Sequence, residues 1–512
     1  MKIYIIVGLL LINSGLCFSQ NLSSLSDDLS SEVIYRDINK AKQEPDKVIR
    51  LDLSNQNLTQ VPGEILFFKN LRELNLSNNQ LDLVPGKIAT LKYLQILRLS
   101  NNPIKSFPEE LDTLQNLQVL ELQSLNLSHI PIEVFGLKSL QILKLDFNQL
   151  AHLPDSLSLL PNLIELSLSK NKLDSLPEYL GNGLKILILS HNQISYIPSS
   201  IVKLTKLEKI WLDYNQLKSL PDEFAQLENL QEVYLTHNQL EKLPEDWKKL
   251  KSIQKIDLSH NQLTSLPIGF KSMLQLHHLN IEYNQLNSLP EGIHTLQSLQ
   301  HLDISNNALS QLPEKIEKLG QLLFLDLGEN QLNNWGDNLC LFNALKVLYL
   351  GHNKIQKLSN QFEQMPDLTV LDLSFNQLSE IPTSLFMLKN LKSLILKNNQ
   401  IKEIPPAANV LKSLYFLDLS NNQLTQIPAE LDSFSELRSL LLGKNNLTKI
   451  PQSLEKLSYL QELYLESNQL KEMGFSLSSL PELQKINLQG NPISQEIIDK
   501  IRKDFLKVSV IF

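Results

Sequence analysis

One pattern returns every 23 residues from about residue 48 to about residue 493, and that period limits what the chain can fold into more than any other feature. Residues 230–252, LQEVYLTHNQLEKLPEDWKKLKS, show it plainly. With Leu230 as position 1, the repeat reads L-x-x-V-x-L-x-x-N-x-L, followed by Leu243, Pro244 and two more apolar positions at Trp247 and Leu250. Positions 4 and 6 (Val233 and Leu235) alternate with polar or aromatic neighbours, the period of a half-buried strand. Asn238 at position 9 falls where the chain turns away. Its amide can donate to and accept from backbone groups of adjacent coils that would otherwise be buried unpaired. Pro244 comes next, its fixed φ and missing N–H suited to the first position of a helical turn, and acids after it favour the positive end of that turn. Pro154-Asp155, Pro177-Glu178, Pro221-Asp222, Pro290-Glu291 and Pro313-Glu314 repeat the device.

A single 23-residue coil buries too little apolar surface to offset the entropy of ordering it, so successive coils must cover one another's open faces. Parallel strands then line a concave side, short helical or irregular turns form a convex side, and one continuous core runs between them. Taking position 9 as the register mark, twenty coils run from Gln56 to Asn491, and every step is 23 residues except Asn171 to Asn192, which is 21. Gln56 departs from asparagine and can still hydrogen-bond. Leu125 cannot, so the asparagine ladder should break at the fourth coil with a local shift in curvature. The proline position is taken by Gly336, Ser359, Gly474 and Ile497 in four coils, which makes the coils around Trp335 and Cys340 the least regular interior segment.

The ends read differently from the repeats. Residues 1–19 carry Lys2, an apolar run from Ile3 to Ile12 and then small or polar residues, the layout of a secretory signal peptide; the run is short of the ~20 residues a membrane span needs. Cleavage after Ser19 would leave Gln20 first. Residues 20–47 are a leader and N-terminal cap, with Leu29, Val33, Ile34, Ile38 and Ala41 at helical spacing before Pro45. The repeats occupy 48–493. Residues 494–512 form a C-terminal cap, with Ile497, Ile498, Ile501 and Phe505 on one helix face and an alternating strand over 508–512, closing an edge that would otherwise template aggregation.

The repeats resemble the 23-residue, LP-containing class of leucine-rich repeat proteins found in Ras-suppressor-type scaffolds, plant intracellular relatives and many bacterial proteins. The lead-in PDKVIRLDLSNQNLTQVP and the GNPIS ending are similar to the termini of bacterial members. The resemblance implies an α/β leucine-rich repeat solenoid, a curved arc of about twenty repeats between terminal caps, acting as a binding scaffold of the bacterial secreted type; it says little about the ligand. An intracellular signalling scaffold of the Ras-suppressor type is the alternative, and a secretory leader departs from it.

Residue chemistry adds exclusions. A net charge of −8 spread along the chain gives no electrostatic case for a nucleic acid or an anionic membrane as partner. Two cysteines, Cys17 and Cys340, exclude a disulfide-stapled cap and a cysteine-based zinc site; Cys340 reads as a half-buried spectator. No P-loop, HExxH or glycine-rich phosphate cradle occurs, and the residues flanking the repeats leave no room for a catalytic domain, so neither catalysis nor a cofactor is expected. Seven of ten histidines fall on the predicted concave side, among them His237 and His260 in one column and His277, His278 and His301 near the strand starts. His237 and His260 with Asp257 have the spacing to chelate a metal, but HNQ is a common form of the repeat, and no metal is expected.

The ligand is expected near the middle of the arc. Ile188, Trp211 and Tyr234 share position 5, and His191, Tyr214, His237, His260 and Tyr283 share position 8, so two neighbouring columns make an amphipathic aromatic patch flanked by Asp213, Asp257, Glu282 and Asp303. Aromatic side chains with a polar tip dominate binding hot spots. A protein ligand with basic groups at its rim suits this patch best, a glycan is the second class, and an extracytoplasmic location follows from the leader.

Overall fold

Each repeat folds as one coil of a parallel ladder. The computed structural model describes residues 29–405, 411–472, 474, 479–504 and 509–512; the expected leader at 1–19, Phe505 and Val508 lie outside them. Strands are numbered β1 to β22 in chain order and are three residues long, except for β1 (Ile34–Tyr35). Two compact units are distinguished. The first comprises Met1–Leu173 with Tyr179–Ile188, and the second Asp174–Glu178 with Leu189–Phe512.

In the first unit, β1 pairs with β2 (Arg50–Asp52), and the ladder continues in register to β8 (Ile186–Ile188). In the second it runs from β9 (Lys209–Trp211) through β10 (Glu232–Tyr234) and β11 (Lys255–Asp257) to β21 (Lys485–Asn487) and β22 (Ser509–Ile511). Every pairing is parallel, and position 4 always meets position 4, as Ile210 meets Val233. Positions 4 and 6 point into the core: Val233, Leu235, Ile256 and Leu258 have no exposed surface. The turn side fills the same core, where Trp247 packs between Phe224 and Phe270 with ring centroids 6.4 and 5.3 Å away.

Asparagine at position 9 ties consecutive coils together as its donor and acceptor inventory predicts. Asn238 Oδ1 accepts from Leu217 N–H at 3.0 Å, and its Nδ2 donates to the carbonyls of Leu212 and Leu235 at 2.9 and 3.1 Å. Gln56 uses its amide differently, donating to the Arg36 carbonyl at 2.9 Å. Leu125 is buried, and the ladder does break there on the side-chain level, but Asn148 spans the gap by accepting from the backbone of both Leu125 and Leu127. Strand pairing passes through this coil unchanged.

Position 8, just before the asparagine, is left-handed. Non-glycine residues stand there at φ between 51° and 59° in coil after coil, from Asn55 through His191, Tyr214, His237, His260 and Tyr283 to Ser467, and Gly490 completes the column at φ 74°. This conformation costs an L-residue roughly 1–2 kcal/mol, and it turns the chain out of the strand.

Three sequence expectations need correction. A repeat proline ahead of a five-residue 3-10 turn is not its first helical residue but the extended residue before it: Pro154 and Pro221 sit at ψ 149° and 152°, and 3-10 turns begin at Asp155 and Asp222. Fixed φ serves that extended position equally well. The N-terminal segment is not one helix, because Ile34 and Tyr35 take the open edge of Arg50 and Leu51 as β1, leaving a short α1 (Ile38–Ala41) capped by Asp37. Cys340 is fully buried, its sulfur accepting from Trp335 Nε1 at 3.3 Å. His237 and His260 stack ring on ring. The coil around Trp335 is irregular as expected, with Gly336 at φ 65°. The coil two residues shorter than the rest makes no 3-10 turn among its described residues, and Gly181 at φ 88° closes it. At the far end α2 (Gln495–Asp504) precedes β22.

Candidate ligand-binding face

Because side chains alternate across a strand, positions 3, 5 and 7 of every coil share the face opposite the core. In the first unit a ladder of ion pairs runs over this face. Arg50 pairs with Glu73 at 2.5 Å, Glu73 also with Arg98, Arg98 with Glu121 at 3.2 Å and Glu121 with Lys144 at 3.2 Å, so each of these five charges has an opposite partner on a neighbouring coil.

The second unit carries rings instead. The position 8 column forms a continuous stack: His191 on Tyr214 (centroids 4.2 Å, planes 9° apart), Tyr214 on His237 (4.2 Å, 18°), His237 on His260 (4.1 Å, 10°) and His260 on Tyr283 (4.3 Å, 10°). Tyr214 and Tyr283 keep 45% and 49% of their surface exposed. The left-handed turn swings these rings clear of the strand and onto one another.

In column 5, Trp211 and Tyr234 are direct strand partners and stack at 5.2 Å and 6°. Tyr234 donates to Glu232 Oε2 at 2.8 Å, Glu232 pairs with Lys209 at 2.5 Å, and Lys255 Nζ lies 5.0 Å from the Tyr234 ring centre. Burial and the Glu232 carboxylate raise the Tyr234 hydroxyl pKa, keeping it a donor. Asp213 accepts from Thr236 N–H at 3.1 Å and Ser190 Oγ at 3.2 Å, and burial pushes it up to about 6. Thus His191, Trp211, Asp213, Tyr214, Tyr234, His237, His260 and Tyr283 lie in one unit, as two ring columns with Asp213 hydrogen-bonded at their start. Ile188 ends the first unit, where its strand partner is Ser167.

A second ladder escaped the sequence reading. At position 3, His278 stacks on His301 and His301 on Phe324, both at 4.2 Å, and Tyr349 meets Phe324 edge-on at 5.8 Å. Burial drives the His278 and His301 pKa values down to about 2 and about 4, so both rings are neutral.

Beside these rings the acids of column 5 crowd together. Asp303 and Asp326 are direct strand partners, and like charges so placed repel. Burial first and Asp303 second push Asp326 up to about 8; burial and Asp303 push Glu282 up to about 7. Asp303, Asp372 and Asp418 are also raised, by burial first. A raised carboxylate binds its proton more tightly in the folded chain, so its contribution is intact below the unfolded pKa near 4 and is lost as pH climbs towards 8. Asp326→Asn keeps the acceptor for Gly328 N–H at 2.8 Å and removes that loss. The variant should melt like wild type at pH 4 and be more stable by about 1–2 kcal/mol at pH 9; melting curves that superimpose at both pH values would show that Asp326 is not strained.

The leucine rich repeat profile matches residues 47–104, 113–177, 182–240, 228–286, 366–424, 389–447 and 435–493, and the leucine-rich repeat region profile covers 268–381. The chain belongs to the leucine-rich repeat family. Among solved leucine-rich repeat structures it is similar to a protein of Leptospira interrogans, at 30% identity and TM-score 0.60, over 94% of this chain and all of that one. The ectodomain of the Arabidopsis receptor kinase HAESA, solved with an N-terminally extended IDA peptide hormone, is 29% identical over 86% of this chain and 78% of its own, with TM-score 0.65. YopM from Yersinia enterocolitica, at 24% identity and TM-score 0.69 over 94% and 93%, shares the fold. No curated protein matches this leucine-rich repeat chain.

Proposed function

We propose that this chain is a non-catalytic binding scaffold of the bacterial secreted, LP-containing class, presented outside the cytoplasm, that grips a protein ligand on the outward face of its second unit. The observation that carries this reading is the pair of ring columns at Trp211–Tyr234 and His191–Tyr283. The inward side chains already make the core, so rings on the opposite face have no packing duty there, and rigid aromatics with polar tips give contact area at low entropic cost. The HAESA ectodomain, with its peptide hormone, supports a polypeptide over a glycan. Stacking among the rings stiffens the sheet as well, and the two roles are separated by binding measurements.

Trp211→Ala and Tyr234→Ala are each expected to weaken a ligand captured by the mature protein at least tenfold, while Leu441→Ala and Tyr464→Ala, outward residues of later coils, change it less than twofold. Equal losses in both pairs, or none in the first, would move the site elsewhere. Recovery of the chain from an extracytoplasmic fraction with Gln20 at its N-terminus tests the location.

A further inference from the structure

Column 5 of the second unit alternates. Asp326, Tyr349, Asp372, Ile395 and Asp418 stand on successive coils as paired strand residues, acid then apolar then acid. Asp257, Asn280 and Asp303 precede them in the same column. None of these acids enters an ion pair among the described residues, in contrast to the alternating ladder of Arg50, Glu73, Arg98, Glu121 and Lys144. Instead each holds a backbone N–H two residues on: Asp326 that of Gly328, Asp372 that of Ser374, Asp418 that of Ser420. Lys397 and His352 lie close enough to act on Asp418 and Asp372 electrostatically without pairing with them. On the same face Ser393, 5% exposed and standing between the Asp372 and Asp418 coils, keeps its hydroxyl without a hydrogen-bond partner among the described residues. No group of three or more metal-ligating side chains occurs among the described residues.

Adjacent strands are about 4.8 Å apart, so acids two coils apart are separated by about 9.6 Å. A polyproline II chain rises about 3.1 Å per residue with three residues per turn, which puts every third side chain on one face at about 9.3 Å. The two spacings agree.

We propose that this sheet face docks an extended basic polypeptide segment with Lys or Arg at every third residue, its cations on Asp326, Asp372 and Asp418 and its intervening residues against Tyr349 and Ile395. The inference rests on the scaffold reading above and gives the partner's chemistry. Opposite charge on the partner relieves the repulsion between the acids, and the Ser393 hydroxyl gains a partner in the segment's backbone.

The probe is a fluorescent peptide of six Lys-Pro-Pro repeats, titrated into the full mature chain. The triple variant Asp326→Asn, Asp372→Asn, Asp418→Asn should bind it at least tenfold more weakly. A control neutralising three turn-side acids, Asp222→Asn, Glu223→Gln and Glu291→Gln, should stay within twofold of wild type. A peptide of the same composition with its lysines in one block should bind at least fivefold more weakly than the spaced one. Equal losses in the two triple variants, or no preference for the spaced peptide, would reduce the effect to net charge and overturn the proposal. Asp372→Asn alone provides the same comparison if the triple variant melts early. A captured natural ligand that depends on Trp211 yet is unaffected by the acid variants would leave the scaffold reading standing and remove this one.

Discussion

Leu258→Asp should destabilise the chain by about 4–5 kcal/mol, whereas Asp257→Asn, one residue away, should change stability by less than about 0.5 kcal/mol. Leu258 is completely buried at position 6, and its N–H donates to Asn280 O at 2.8 Å, so the backbone holds the side chain inward. A carboxylate at that position enters the core with no cation and no donor, and a buried unpaired charge is among the few single changes that cost this much. Asp257 sits on the outward face and accepts from Ser259 N–H at 3.0 Å, a bond that asparagine keeps. Thermal melts followed by circular dichroism compare the two. A melting temperature for Leu258→Asp equal to wild type would refute the stacked-strand register, because a one-residue slip exchanges the two faces.

Asn238→Ala is the second large effect, expected at about 3 kcal/mol. The side chain is nearly buried and makes four hydrogen bonds, to Leu217 N–H, Leu212 O, Leu235 O and Thr236 O. Alanine leaves buried backbone groups of two coils without partners, and each such group costs roughly 1–3 kcal/mol when nothing replaces the bond. The reciprocal change at the one leucine in this column, Leu125→Asn, restores a donor and acceptor and should stabilise by about 1 kcal/mol. Denaturant midpoints of both variants decide the matter. A loss below about 1 kcal/mol at Asn238 would mean that water satisfies these groups and that the asparagine column is not what couples the coils.

The inward half of the design was legible from spacing alone. Val233 and Leu235 alternate with outward neighbours because the strand period is two, and an asparagine after them has only the backbone of neighbouring coils within reach. The capping proline was read one position too far along, since a fixed φ near −70° suits both the extended residue and the first helical one, and composition does not separate them. The stretch from Leu29 to Ala41 fits a helical face, yet Ile34 and Tyr35 are drawn into the sheet by the open strand edge of Arg50 and Leu51, a force that no local pattern encodes. Trp211, Tyr234 and the position 8 rings were found because each column was followed across coils. Phe324 and Tyr349 were missed because rings were followed only down positions 5 and 8, and His278 and His301 were noted as concave-side histidines and not as the start of a stack. The crowding of Asp303 and Asp326 depends on burial, which the sequence does not display.

The left-handed backbone at position 8 was also missed, though a signal existed. In twenty coils this column holds asparagine, serine, histidine, tyrosine, phenylalanine, lysine, glutamate and glycine, and never valine, isoleucine or threonine, which are strongly disfavoured at positive φ. Its side chains leave the strand after the last inward residue and before the asparagine, so they stay out of the core and touch mainly one another, as Asn101 donates to Asn78 at 2.8 Å and the rings stack. A change there among unbranched residues alters what the molecule displays and leaves its stability nearly as it was. Each coil therefore carries one letter that evolution can rewrite at little risk, and a new recognition surface can arise by spelling a different word down the column while the scaffold stays the same.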